Sequence, residues 1–508
     1  MQYYKVKENP HFVGRDYYLK RLREIDAEAQ ASIIVVYGRR RVGKTELIEQ
    51  FFKGRPILKF EGLQPQDGVT KKAQTTERKR QIRACLSRLG GYLDRATEYQ
   101  LMKVDRWTDF FALLTPLIAD TPTVLYLEEL QWMAHYGNDL LAEFKPFWDD
   151  TLRHNPNLRV VISGSSTSFI TKQFLSSSAM YNRSNHMIKL DPFNLGETRE
   201  FLGKGVQETL LAAIALGGIP EYLKQVKTAP SIYIGLCNKS FRPGEFFRVE
   251  KDRVFVSSLA FNRFYEGIID YLALHKYADR QQLHDALSDG RASPGGSFTT
   301  ILDELVDLDF VERYVPITTR NSARSHQARY AISDEYLQFY YRMIAPRKRD
   351  IDRGKFATNP GNAINRQDFS KLLGFAFERW CRKHEDLIAQ HMRFGGVVDY
   401  IHGSWYDKSK AQSSLARDAQ IDLMYIRKDS KLIICEIKYN NDSTLTRKVM
   451  RDTQDKVDHF LERNPKYARY TVETALITTE PAPDGIRNEG YFTYMIDTEQ
   501  LFKASSAL

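Results

Sequence analysis

Residues 32–52 read SIIVVY-GRRRVGKT-ELIEQFF, and this stretch decides the fold. An apolar run is followed by Gly38-Arg39-Arg40-Arg41-Val42-Gly43-Lys44-Thr45, and then by a segment with helical periodicity. Strand, glycine loop and helix in that order are the context in which GxxxxGK[ST] binds phosphate. The two glycines let backbone N–H groups turn inward around phosphate oxygens, and the helix N-terminus adds positive partial charge. In this reading Lys44 reaches the β- and γ-phosphates of ATP and the Thr45 hydroxyl ligates Mg²⁺.

Working outward, further apolar runs fall at residues 56–60, 123–127 and 158–162, separated by helical patterns. Such alternation predicts a mainly parallel sheet with crossover helices, an α/β architecture. The run at 123–127 ends in Glu128-Glu129. Glu128 is placed to hold the magnesium and Glu129 to orient the attacking water. Glu is one methylene longer than Asp, which moves its carboxylate by ~1.5 Å, so ATP binding is better specified than fast turnover. The run at 158–162 leads into Ser163-Gly164-Ser165-Ser166, small polar groups at a strand end that suit contact with the γ-phosphate. Arg183, in MYNRSNH, is the candidate arginine finger for its own or a neighbouring subunit.

Beyond residue 193 the pattern turns helical, interrupted by Gly217-Gly218-Ile219-Pro220. Residues 261–329 read as three helices and a β-ribbon, the spacing of a winged helix-turn-helix. Its third helix exposes Asp303, Glu304 and Asp307, so groove entry would fall to Ser297, Thr299 and Thr300, with Arg320, Arg324 and Arg329 on the wing. DNA contact and protein contact both remain open for this segment. The basic strip at residues 71–88 reads as a solvated helix face. Residues 345–362 mix charge with Pro and Gly, as a linker does.

The last α/β block contains Asp422, then Glu436-Ile437-Lys438, on two apolar runs joined by the turn KDSK. A hairpin there puts Asp422 and Glu436 on neighbouring strands, with Glu436 and Lys438 on one face. Glu378, on a preceding helix, can face the same pocket. Two or three carboxylates and an ammonium are the set used in metal-assisted phosphodiester hydrolysis, with Asp422 and Glu436 as ligands for Mg²⁺ or Mn²⁺. A cross-strand salt bridge is the alternative use of the same residues.

The chain has 508 residues, 42% hydrophobic and 27% charged, which excludes a disordered or fibrous protein. Its net charge of +10 is compatible with a polyanionic partner without requiring one. The four scattered cysteines form no CxxC pair, which argues against disulfide or zinc frameworks. No apolar stretch reaches the ~18 residues of a membrane span, so the expectation is a cytoplasmic protein with no membrane association.

Phe12-Val13-Gly14-Arg15, GRRRVGKT, the acidic strand, SGSS and Gly217–Tyr222 in that order resemble the AAA-type ATPases of archaea and bacteria, relatives of the origin-recognition and STAND ATPases. The C-terminal block resembles the PD-(D/E)xK restriction-endonuclease-like core. The resemblance implies that Phe12, Gly14 and Arg15 lie near the adenine and that a helical lid follows the ATPase sheet. Glu128 stands where that family usually has Asp, and Asn182 where it often has Gly. The implied organisation is a P-loop domain at 1–192, a lid at 193–255, a winged helix at 256–345, a linker at 346–362 and a nuclease-like domain at 363–508. The implied function is an ATP-binding ATPase associated with DNA and capable of self-association, with ATP-gated, metal-dependent cleavage by the last domain. A nucleotide-switched regulator with an inactive last domain is the alternative.

Overall fold

The computed structural model describes residues 2–64, 71–118, 123–134, 139–176, 180, 183, 186–258, 263–275, 277–287, 298–317, 328–407, 419–440 and 445–505. Its chain divides into two compact units. One comprises Met1–Pro192, Asp252–Arg263 and Asp303–Leu308; the other comprises Phe193–Lys251, Phe264–Leu302 and Asp309–Leu508.

The first unit is built on a five-stranded parallel sheet. Its strands are β1 (Ser32–Tyr37), β2 (Ile57–Glu61), β3 (Val124–Glu128), β4 (Arg159–Gly164) and β5 (His186–Lys189), in the order β2-β3-β4-β1-β5. The apolar runs form strands because both faces are covered: every residue of β3 and β4 is buried. An aromatic layer closes one side, with Phe111 and Phe147 stacked at 5.0 Å between ring centres. β5 does not stand out in the sequence, since HMIK is short and carries a buried histidine. The inner strand β1, between β4 and β5, runs directly into the glycine loop, and the acidic pair sits at the same, C-terminal, end of β3. Ligands bind at that end of open α/β sheets. The helix Lys71–Tyr92 carries the basic strip, and Arg80 pairs with Glu77 and Lys79 with Asp105.

In the second unit, helices Leu195–Leu202, Val206–Leu216, Pro220–Lys227 and Ile232–Ser240 follow in succession. Helix Arg280–Leu287 accompanies a three-stranded antiparallel sheet of β6 (Ala278–Asp279), β7 (Val311–Tyr314) and β8 (Arg329–Ile332), in the order β6-β8-β7, while helices Arg263–Leu274 and Phe298–Asp307 have residues in both units. Where composition predicts a linker, the chain winds into short helical turns that pack onto the preceding helices. Ile351 is fully buried, and Asp352 takes both hydrogen bonds of the Arg248 fork, at 3.0 and 2.6 Å.

The C-terminal sheet holds β9 (Tyr400–Asp407), β10 (Ala419–Arg427), β11 (Lys431–Lys438), β12 (Thr471–Thr478) and β13 (Tyr494–Ile496), in the order β13-β12-β11-β10-β9. β9, β10 and β11 are antiparallel, and β11, β12 and β13 parallel. Helix Lys448–Arg463 covers the face bearing Met424, Leu432 and Ile434 through Val457 and Phe460. Helix Arg366–Lys383 also packs on β10 and β11. The hairpin therefore forms as the sequence indicates, while β9 and β13 at the edges carry weaker apolar patterns.

Gly38 holds the start of the loop at φ +141, and a Cβ there would lie 2.4 Å from the Leu190 carbonyl oxygen. Gly38→Ala is expected to destabilise the first unit by about 2–4 kcal/mol through strain and overlap. Gly54→Ala, where a Cβ meets nothing within 4 Å, is the control and is expected to be near neutral. Thermal unfolding of both variants checks this.

Candidate functional site

The glycine loop is organised around its lysine. Gly43 (φ 95) begins helix Lys44–Phe52, and Arg41 also adopts the left-handed conformation. Lys44 is buried and donates to the carbonyls of Gly38 and Arg39 at 2.9 and 3.1 Å. Burial pushes its ammonium down, and the Glu129 and Glu128 carboxylates oppose that shift. Arg39 and Val42 are buried in the loop with it. Arg15 is buried as well and clamps the loop, donating to Val42 O and to Asp191 O at 2.8 Å each. Gly14 and Arg15 both have positive φ, which turns the incoming chain beside the loop. Phe12 is half-buried just before that turn.

Glu128 accepts a hydrogen bond from the Thr45 hydroxyl with one carboxylate oxygen. Its other oxygen lies 2.8 Å from the ammonium of Lys59, which also pairs with Glu49 at 2.8 Å. Burial opposes the charge on Lys59, but the Glu128 and Glu49 carboxylates outweigh it and hold this amine above its ordinary range. Tyr126 donates to Glu128 at 3.2 Å and lies 3.0 Å from Ser163 Oγ. A hydroxyl and a carboxylate brought into contact are the donor types a hard divalent cation takes, so Thr45 and Glu128 fit Mg²⁺.

Glu129 follows the strand in a left-handed conformation (φ 51) and is aimed differently from Glu128. Its Oε2 accepts from the Ser165 hydroxyl at 2.9 Å and the Ser165 N–H at 3.3 Å, and from the Gln131 amide. Gln131 also donates to Ser165 Oγ at 3.0 Å. The serine-rich end of β4 thus orients the second acid. Arg183 is engaged elsewhere: its fork is taken by Asp149, at 2.8 and 2.7 Å, on helix Asp139–Asp150. Asn182 lies outside the described residues.

In the C-terminal sheet, Leu423 pairs with Cys435, and Asp422 and Glu436 are the next residues on β10 and β11. A bulge in β10 between Ile421 and Met424 falls at this point. Glu436 is buried at 2% side-chain exposure, held between Lys438 at 2.7 Å and Lys456 at 2.6 Å. Burial alone would raise its carboxyl pKa; the Lys456 and Lys438 ammoniums reverse that and lower it. Burial works against the charge on Lys438, and Glu436, Asp422 and Glu378 together raise it above the ordinary value. Asp422 accepts from Gln420. Glu378 acts on Lys438 through its charge, but among the described residues no group of three or more His, Cys, Asp or Glu is disposed to hold a metal. Asp422 and Glu436 therefore offer two carboxylates. That number suits Mg²⁺ or Mn²⁺ where substrate phosphates complete the shell.

Sequence patterns missed Lys59 and Lys456. Lys59 does leave a trace, as a lone charge inside the apolar run PILKF; Lys456 sits on a polar helix and leaves none. In the sheet-and-helix segment at 263–332, Thr299 accepts from Arg280 at 3.1 Å. Arg329 stacks on Tyr277 at 4.1 Å and Tyr406 at 5.4 Å, so its guanidinium is engaged within the protein and not displayed on a wing. Ser297, Arg320 and Arg324 lie outside the described residues.

A parallel sheet with an inner strand that feeds a GxxxxGKT loop, and an acidic strand end at the same edge, defines a P-loop nucleotide-binding domain. Residues 12–226 match a family described as an ATPase domain found predominantly in archaea, and residues 340–452 match a family of archaeal and bacterial proteins of unknown function. An uncharacterized protein of Methanocaldococcus jannaschii is 26% identical over 434 residues, covering 85% of this chain and 88% of its own. Among solved structures, the Walker-type ATPase of Pyrococcus abyssi is similar over 65% of this chain and 96% of its own, at 17% identity and a TM-score of 0.47. The ORC2 protein of Aeropyrum pernix is similar over 70% of this chain and 98% of its own, at 12% identity and a TM-score of 0.41. No helix among the described residues is long and apolar enough to cross a membrane.

Lys456→Met removes one of the two ammoniums that keep Glu436 ionised. At neutral pH the variant is expected to lose about 2 kcal/mol, the worth of a charged buried hydrogen bond. That contribution exists only while Glu436 is ionised, above its unfolded value of ~4.3. The gap between variant and wild type should therefore close as pH falls through the lowered native value. Urea unfolding between neutral pH and the acid limit measures it.

Proposed function

We propose that this protein binds and hydrolyses ATP at the P-loop, associates with DNA, and cleaves phosphodiester bonds with its C-terminal domain under ATP control. The observation that carries the ATPase reading is the division of labour between two adjacent acids. Glu128 is tied to Thr45, and Glu129, on the far side of a left-handed turn, is held by Ser165 and Gln131. Lys44 leaves its loop carbonyls to meet the phosphates, and Glu129 orients the attacking water and accepts its proton. Thr45 and Glu128 would hold Mg²⁺, which would supply neutralisation of the charge developing on the phosphates. Arg183 can serve as a finger only after release from Asp149, so in this reading self-association would have to offer a better anion than that carboxylate.

For the C-terminal domain the support is that Glu436 and Asp422 both act on Lys438. Asp422 and Glu436 would hold a divalent cation, which supplies Lewis-acid stabilisation of the phosphoryl oxygens. Lys438, still charged at neutral pH, faces the attacked phosphate and stabilises its added negative charge. DNA as the polyanion accords with the excess of basic residues and with the reading of residues 263–332 as a winged helix. Control by ATP is inferred from the presence of both sites on one chain.

A second reading has its own observation. Both oxygens of Glu436 are already satisfied by ammoniums, as a structural ion triad would have them. In that case the protein is a nucleotide-switched regulator and its last domain only binds.

Glu129→Gln is expected to keep ATP affinity and to slow hydrolysis by about 10²-fold or more, in the range for loss of a general base; a phosphate-release assay beside an equilibrium binding assay reads both. Incubation with supercoiled plasmid and Mn²⁺, with and without ATP, tests the second site. Cleavage abolished by Asp422→Ala and altered by ATP is expected. Intact plasmid under both conditions would leave the regulator reading in its place.

A further inference from the structure

A cavity of about 450 Å³ lies in the second unit between the β6-β8-β7 segment and helix Arg366–Lys383. That is within the range of small-ligand sites, ~300–1,000 Å³. Its floor is apolar and aromatic, with Tyr314, Tyr341 and Phe375 beside Leu372 and Ile332. Its charged groups are Arg342, Lys371, Arg379 and Arg382 against Glu312, Asp368 and Glu378, with His275 at the edge.

Two of these groups are unfinished. Arg379 Nη2 and Glu312 Oε1 are both sealed from solvent and have no hydrogen-bond partner. Arg382 approaches Glu312 only to 3.7 Å. An unmade buried hydrogen bond costs ~1–3 kcal/mol, so a partner for either atom would be stabilising. Burial also pushes the Arg379 guanidinium down to about 10, with the Glu312 and Glu335 carboxylates opposing. One wall is a π-helical turn, Tyr340–Ile344, and such turns recur at functional sites. Tyr341 on that turn is fixed by its hydroxyl bond to Asp270.

A ligand that fills this cavity must present an anion to Arg342, Lys371 and Arg382, a flat apolar face to the tyrosines, and an N–H donor to Glu312, with Arg379 and Glu312 turning their sealed ends toward it. A nucleoside phosphate has all three. We infer that the cavity between the β6-β8-β7 segment and helix Arg366–Lys383 binds a nucleoside monophosphate group, as a second nucleotide site formed without any P-loop residue. The group can come from a free mononucleotide or from the 5′-phosphorylated end of a strand. Glu378 lines the cavity and also acts on Lys438 through its charge.

The test is calorimetric titration of the full-length Lys44→Ala protein, which disables the P-loop, with GMP, AMP and the 5′-phosphorylated dinucleotide pdGpdG, without divalent metal. Binding is expected, and Arg379→Met should weaken it about ten-fold or more, the effect of losing ~1.4 kcal/mol. Lys371→Met, an exposed position that leaves the fold intact, should weaken it in the same direction, whereas Asp422→Ala should leave it unchanged. Tighter GMP or AMP would assign a free nucleotide as ligand, and tighter pdGpdG a strand end; either supports the site. No heat with any of the three, or equal affinity in Lys371→Met and wild-type cavities, would overturn it. Because no cleavage is measured and Asp422→Ala serves as a control, an inactive nuclease centre would not be mistaken for a failed cavity.

Discussion

The buried carboxylate of Glu128 is the contact on which the nucleotide site depends. One oxygen meets Thr45 at the start of the loop helix, and the other meets Lys59 on the neighbouring strand. Charges removed from water are tolerated only when paired and hydrogen-bonded, and here Tyr126 and Glu49 complete the set. The network ties β2, β3 and the loop helix together at the strand ends. Because Lys59 draws on one oxygen, the longer Glu side chain is held in a fixed position. The methylene that distinguishes it from Asp thus gains a physical counterpart.

The C-terminal pair follows the same logic with the opposite balance. Glu436 meets two ammoniums, and Asp422 acts on one of them, Lys438. Helix Arg366–Lys383 packs against both strands of the hairpin. Its outward side helps to line the cavity, so one helix serves the sheet and the second site together.

Much of this was legible in the sequence wherever the signal was local. The glycine loop, the acidic strand end and the D…ExK hairpin are each contained in a short window, and burial on both sheet faces makes their strands continuous apolar runs. Edge strands such as β5, β9 and β13 are short or mixed in character and left little trace. The partners of the site residues were illegible for a different reason. Arg183–Asp149, Glu128–Lys59 and Glu436–Lys456 join positions far apart in the chain, and charge on a helix surface looks the same whether it meets solvent or a buried carboxylate. Ser165 lay in a window noted for small polar residues and Gln131 in none, and their convergence on Glu129 needed the fold.

The most direct test of the nucleotide site is the Mg²⁺ dependence of ATP binding in Glu128→Gln beside wild type, measured at equilibrium. Replacing the carboxylate by an amide keeps the shape and the Thr45 contact but removes the charge available to a cation. Wild-type affinity should rise with Mg²⁺, and that rise should vanish in the variant while metal-free affinity is retained. An equal Mg²⁺ effect in both proteins would contradict the assignment of Glu128 to the metal and leave it a purely structural partner of Lys59.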